Sequence, residues 1–175
     1  MPPPDAAHPP GDWKDLPADL VARFDAALAP FLTRYPSDRR EAAMLPALRL
    51  GQEIFGYLSP AVQHLAADRL GTSAARAEEV ATFYVMFRTR PVGRHLVEVC
   101  TNLSCCLAGG EKLFAALKRK LGVENGGTTA DGKFTLREVE CLGSCGTGPA
   151  MLLDEKEMIE RLTPARLEKI LEGLE

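Results

Sequence analysis

The sequence predicts an α+β chain in two parts, a small N-terminal helical bundle followed by an α/β domain with helices packed on an open sheet. Three observations carry this expectation. Apolar residues recur at spacings of three and four through the front half, the period of a helix face. After Pro91-Val92-Gly93 the pattern changes to short apolar runs separated by glycine-bearing loops, the mark of strands. All five cysteines lie in this back half, in two clusters where strands are expected to end. At 175 residues and 46% hydrophobic content, the chain can bury one compact domain or two small ones.

Residues 1–16 are expected to form a flexible Pro-rich tail and residues 17–90 the helical domain. The first eleven residues include Pro2, Pro3, Pro4, Pro9 and Pro10, a stiff solvated composition. They have neither the apolar core of a signal peptide nor the arginines of a transit sequence, which points to the cytoplasm. Trp13 is expected to pack this tail on the bundle. From Pro17, the residues Leu20, Phe24, Leu28 and Phe31 share one helical face, with Pro30 and Tyr35-Pro36 expected to end the element. Ser37 is expected to cap a second helix carrying Met44, Leu48, Gly51 and Phe55, in which Pro46 is a distortion unless the helix starts later. Ser59-Pro60 opens a third helix that Gly71 closes, and Thr72 or Ser73 opens a fourth running towards Phe83. Val80 to Phe87 carries more apolar bulk than one helix face uses, and its expected place is the core between the two domains, with a partner-binding surface as the alternative. It is far shorter than the roughly 20 residues that span a bilayer.

In the back half, residues 94–99 read as a strand running into Cys100, and Glu111 to Leu121 as a helix closed by Gly122. Lys118, Arg119 and Lys120 complement its C-terminal dipole. Lys133 to Val139 reads as a second strand leading to Cys141, and Ala150 to Leu153 as a third. Met158 and Ile159 continue the pairing, and Thr163-Pro164 starts a closing helix with Leu167, Ile170, Leu171 and Leu174 on one face. A net charge of −3 with interleaved signs has no basic stripe for phosphate backbones, which speaks against nucleic acid as a partner. His8, His64 and His95 lie at no metal-ligand spacing and read as surface or structural residues.

The cysteines read Cys100-x4-Cys105, a gap of 35 residues, then Cys141-x3-Cys145, with Cys106 left over. In a reducing compartment such pairs favour metal binding over disulfides. Three chemistries compete: a 2Fe-2S cluster, which takes two thiolates on each iron; a structural four-cysteine zinc module, which commonly uses tighter C-x2-C knuckles; and thiol exchange, which commonly uses C-x-x-C. Gly109, Gly110, Gly143, Gly146 and Gly148 leave backbone amides free to approach sulfur, which favours the cluster. Spacing alone leaves Cys105 and Cys106 interchangeable.

The stretches Val80-Ala-Thr-Phe-Tyr84, Pro91-Val-Gly93, Val99-Cys-Thr-Asn-Leu-Ser-Cys105, Asp131-Gly-Lys-Phe-Thr135 and Val139-Glu-Cys-Leu-Gly-Ser-Cys145 closely resemble one family. This is the thioredoxin-like 2Fe-2S subunit of the NADH dehydrogenase module of respiratory complex I, the NADH-quinone oxidoreductase. The resemblance implies a thioredoxin-like 2Fe-2S ferredoxin domain over residues 91–175. It implies Cys100 and Cys105 on one iron, Cys141 and Cys145 on the other, and Cys106 as a bystander. It further implies one-electron exchange with FMN on a flavin-bearing, NADH-binding partner, and a location in the cytoplasm or on the cytoplasmic face of the inner membrane through the complex. No G-x-G-x-x-G follows a strand, so FMN and NADH are expected only on the partner, and no substrate chemistry is expected of the chain alone. Gly146-Thr-Gly-Pro-Ala150 differs from the family's usual segment after the last cysteine. That difference keeps open the equivalent subunit of an NAD-dependent formate dehydrogenase or an NAD-reducing hydrogenase.

Overall fold

Four α-helices precede a four-stranded mixed sheet in the computed structural model, which describes residues 12–174. The chain divides between Pro91 and Val92 into two compact units, each with its own core. The proline-rich stretch of residues 1–11 lies outside the described residues.

In the helical unit, a 3-10 turn over Trp13–Asp15 leads into α1 (Ala18–Leu32). Trp13 packs against the bundle core, and the Arg69 guanidinium lies 4.4 Å from its ring centre. Phe24 and Leu28 are buried on α1 as the spacing predicts, but Pro30 does not end the helix; it sits within the last turn. The expected start of the second helix at Ser37 is corrected. A 3-10 segment over Arg40–Ala43 comes first, and α2 runs Met44–Phe55. Pro46 explains the later start, because proline is tolerated only in the first turn, where its missing N–H has no intrahelical partner.

Helix α3 (Pro60–Leu70) is capped by the Ser59 hydroxyl accepting from the Val62 N–H and closed by Gly71 in the left-handed conformation. Ser73 caps α4 (Ala74–Phe83) through the Arg76 N–H. Leu48, Leu58, Leu65 and Ala66 are fully buried between these helices. Each such leucine contributes roughly 1.5–3 kcal/mol by leaving water.

Val80 to Phe87 divides between buried and exposed residues. Phe87 is buried in the bundle core, yet Phe83 and Val85 are each 76% exposed. The cause is local: α4 ends at Phe83 and the chain folds into a turn in which the Phe87 N–H donates to the Tyr84 carbonyl. Helical spacing therefore no longer gathers these side chains on one face. Gln52, buried on α2, holds the departing chain: its Nε2 donates to the Met86 carbonyl at 3.1 Å and its Oε1 accepts from the Arg88 N–H at 2.7 Å.

In the sheet unit the order of elements is β1 (His95–Cys100), α5 (Leu103–Leu107), α6 (Gly110–Leu121), β2 (Phe134–Val139), β3 (Met151–Leu153), β4 (Glu157–Ile159) and α7 (Pro164–Glu172). The sheet runs β2-β1-β3-β4, with β1 parallel to β2 and the remaining pairs antiparallel. Joining two parallel strands requires a crossover, which α6 supplies. Its Leu113, Phe114 and Leu117 cover the sheet with Leu167 and Leu171 of α7, against Val97, Val99, Leu136 and Met151. Thr163 caps α7 ahead of Pro164, as the sequence predicts.

Candidate metal centre

The sheet register explains why the two cysteine clusters lie at the same end of the sheet. Cys100 closes β1 opposite Val139, the last residue of parallel β2, so Glu140-Cys141 leaves the sheet at the same end. On the other side, the Cys100 N–H donates to the Ala150 carbonyl at 3.0 Å, bringing the end of the 141–150 segment alongside. The loops are then tied across. The Thr101 hydroxyl donates to Glu138 Oε1 at 2.7 Å, Asn102 Nδ2 to Glu140 Oε2 at 2.8 Å, and the Cys100 thiol to the Glu140 carbonyl at 2.8 Å.

Both clusters lie where strands end, as the sequence predicts, but only Cys141 and Cys145 are on a loop. Cys100 is a strand residue, and Cys105 and Cys106 lie on the short helix α5, whose first N–H is accepted by the Asn102 side chain. Successive residues of a helix point about 100° apart. Adjacent cysteines therefore face different surroundings. Cys105 is buried beside Cys100, and burial first, then that neighbouring thiol, pushes its own thiol up from the ordinary range. Cys106 instead meets Glu111, whose carboxylate is the largest cause of its raised pKa.

Cys141 and Cys145 are exposed, with their sulfurs 3.9 Å apart. That is well beyond the roughly 2.05 Å of a disulfide. All five thiols are free. The Gly143 N–H donates to Cys141 Sγ at 3.4 Å, and Gly143 has φ +79, a conformation that glycine adopts without cost. A Cβ on Gly148 would lie 3.2 Å from Cys105 Sγ, so the backbone of the second cluster already touches the sulfur of the first. Gly110 is equally constrained, since a Cβ there would lie 2.7 Å from the Cys100 carbonyl oxygen.

These features fit an iron–sulfur cluster: two pairs of thiols, an amide aimed at sulfur, and a backbone close enough to wrap a group that carries negative charge. Among the described residues, no three Cys, His, Asp or Glu side chains are grouped closely enough to hold a metal ion, so the structure brings the two thiol pairs to one end of the sheet without closing them into one ligand set. His95 does not join the thiols: its Nδ1 pairs with Asp154 Oδ2 at 2.9 Å at the opposite end of β1.

Residues 28–175 match the family described as thioredoxin-like 2Fe-2S ferredoxin, and the chain belongs to that family. It is 39% identical over 176 residues to a subunit of the NADH-quinone oxidoreductase of Mycobacterium tuberculosis, covering 99% of this chain and 69% of the relative. It is 40% identical over 141 residues to NADH-quinone oxidoreductase subunit 2 of Thermus thermophilus, covering 81% and 78% of the two chains. Against an NADH-quinone oxidoreductase subunit of Rhizobium meliloti the identity is 44% over 140 residues, covering 80% and 82%. The structure is also similar to an NAD+-reducing NiFe-hydrogenase chain, with a TM-score of 0.67 and 22% identity over 75% of this chain and 22% of the other. At that identity the likeness is one of fold.

Proposed function

We propose that the chain is an electron-transfer subunit of an NADH:quinone oxidoreductase, holding one 2Fe-2S cluster through Cys100, Cys105, Cys141 and Cys145. The observation that carries this reading is the placement of both thiol pairs at the same end of the sheet in a chain of the 2Fe-2S ferredoxin family. When bound, the cluster supplies a one-electron redox centre.

The chain's own residues divide the remaining work. The strand end and α5 hold Cys100 and Cys105 in the interior, each 2% exposed, where water is excluded. The 141–145 loop keeps Cys141 and Cys145 at the surface, the side a partner's redox group can approach. The Gly143 amide offsets negative charge on the Cys141 sulfur. Metal binding requires each thiol to give up its proton, and burial, then the neighbouring Cys100 thiol, work against that loss at Cys105. The partner in this reading is a flavin-bearing, NADH-binding subunit, as the family resemblance implies; the relatives at 39–44% identity are named as subunits of NADH-quinone oxidoreductases. No helix among the described residues is long and apolar enough to cross a membrane. In this reading the chain meets the cytoplasmic face of a membrane through its assembly.

Serine replacement of each cysteine in turn tests the ligand set. Loss of visible absorption is expected for Cys100→Ser, Cys105→Ser, Cys141→Ser and Cys145→Ser, and a nearly unchanged spectrum for Cys106→Ser. Bleaching by Cys106→Ser with Cys105→Ser unaffected would overturn the assignment. Purification with native partners tests the parent complex. A formate dehydrogenase or hydrogenase in place of a quinone reductase would move the chain to that assembly.

A further inference from the structure

The β3–β4 hairpin returns the chain to the end of the sheet that carries the thiols. Its register places Ile159 opposite Met151, so Glu160 emerges beside the 144–150 segment. There the two segments are zipped together, the Arg161 N–H donating to the Thr147 carbonyl at 2.8 Å and the Leu162 N–H to the Pro149 carbonyl at 3.0 Å. Glu160 Oε1 accepts from the hydroxyls of both Ser144 and Thr147, the latter at 2.5 Å, and those two oxygens are 2.7 Å apart. Ser144 is buried. One carboxylate oxygen thus grips the residue before Cys145 and a residue two beyond it. Both hydrogen bonds favour the ionised acid and hold its pKa below the usual range. The Glu160 backbone is held as well, its carbonyl accepting from Arg166 Nη1 at 2.5 Å.

We infer that Glu160 is a positioning residue for the cluster: it fixes the loop that presents Cys145, and its negative charge beside that loop disfavours the reduced, more negative state. The inference rests on Cys145 being a ligand. Charge-assisted hydrogen bonds are the strong ones, and a ligand loop held in place before metal arrives loses less freedom on binding. A fixed negative charge near a cluster lowers its reduction potential.

The test compares the cluster-loaded full chain with its Glu160→Gln and Glu160→Ala variants by two measurements. These are the rate of cluster loss to an iron chelator and the reduction potential from a spectroelectrochemical titration. Glu160→Ala is expected to lose its cluster about tenfold faster or more, the factor set by one charge-assisted hydrogen bond. Its potential is expected to rise. Glu160→Gln keeps an acceptor oxygen and is expected to recover most of the slow loss while its potential still rises. Thr147→Val removes one donor without touching the charge, and it should speed loss with little movement of the potential. If Glu160→Ala fails to fold, Glu160→Gln and Thr147→Val carry the test between them. A purely structural role would lower stability and leave the potential where it was. An unmoved potential in the Glu160 variants overturns the inference. So does an unchanged rate of loss in both Glu160→Ala and Thr147→Val. Cys145→Ser separates the two levels: a full cluster in that variant would defeat the ligand assignment itself. Bleaching there with indifferent Glu160 variants would defeat only the positioning role.

Discussion

Cys105 and Cys106 are neighbours in sequence and the same residue type, yet their environments differ in kind. Cys105 has a second thiol and the Gly148 backbone against it, whereas Cys106 has a carboxylate. Spacing cannot separate them because the distinction is one of direction on a helix too short to announce itself. Leu103-Ser-Cys-Cys-Leu107 has too few residues for a period to emerge. Glu160 is illegible in the sequence for a different reason. It lies 13 residues beyond Thr147 and reaches it only through a hairpin, with no local signal in its own neighbourhood. Gln52 reads in the sequence as one more residue of a helix, but it is a buried polar residue satisfied at both ends by the backbone after α4. Gln52→Leu keeps the volume and leaves those backbone groups without the side chain. It should cost about 2 kcal/mol in chemical denaturation, mostly as a penalty for unpaired polar groups.

At the scale of elements, the caps are the most legible features, because each acts within one turn of the residue that supplies it. Ser59, Ser73 and Thr163 each accept a backbone N–H, and Gly71 and Gly122 take left-handed conformations at helix ends. The difference at Ser37 has the same logic in reverse. Its local chemistry suits a cap, but Pro46 forbids a helix long enough to use it. Two predictions belong here. Gly110 opens α6 where a Cβ would meet the carbonyl oxygens of Cys100 and Cys105 at 2.7 and 2.9 Å, both backbone. Gly110→Ala should therefore destabilise the sheet unit by about 1–3 kcal/mol and displace α5, despite alanine's better helix propensity. Chemical denaturation of the variant beside the parent checks this. Asp131 shapes the turn before β2, accepting from the Thr129 hydroxyl at 2.5 Å and the Lys133 N–H at 3.0 Å. Those bonds, the Thr129 one first, lower its pKa. A lowered folded-state pKa gives stability that is present above the unfolded value, about 3.9, and disappears as pH falls through the folded value. Asp131→Asn should therefore be less stable than the parent at neutral pH, with the gap closing below about pH 4. A series of denaturation curves across that range checks the sign.

At the scale of the whole molecule, the division into a helical unit and a mixed-sheet unit follows from a change of period at Pro91-Val-Gly93, and the α+β class with it. The order of strands across the sheet does not follow from the sequence. β1 is flanked by β2 and β3, a non-local pairing decided by tertiary packing. That order matters most for function, since it brings the ends of β1 and β2 and the start of β3 to one place, and the cysteine clusters with them. The exposure of Phe83 and Val85 likewise reflects where α4 stops rather than composition.

Elemental and spectroscopic measurement on the purified chain, kept free of oxygen, shows most directly whether the four cysteines hold a 2Fe-2S cluster. Iron and acid-labile sulfide should each come to about two per chain. The protein should be reddish-brown, silent in low-temperature EPR when oxidised, and give a signal on reduction by one electron. A colourless protein holding stoichiometric zinc and no sulfide, with no EPR signal after reduction, would rule out the cluster and make the four cysteines a structural zinc module.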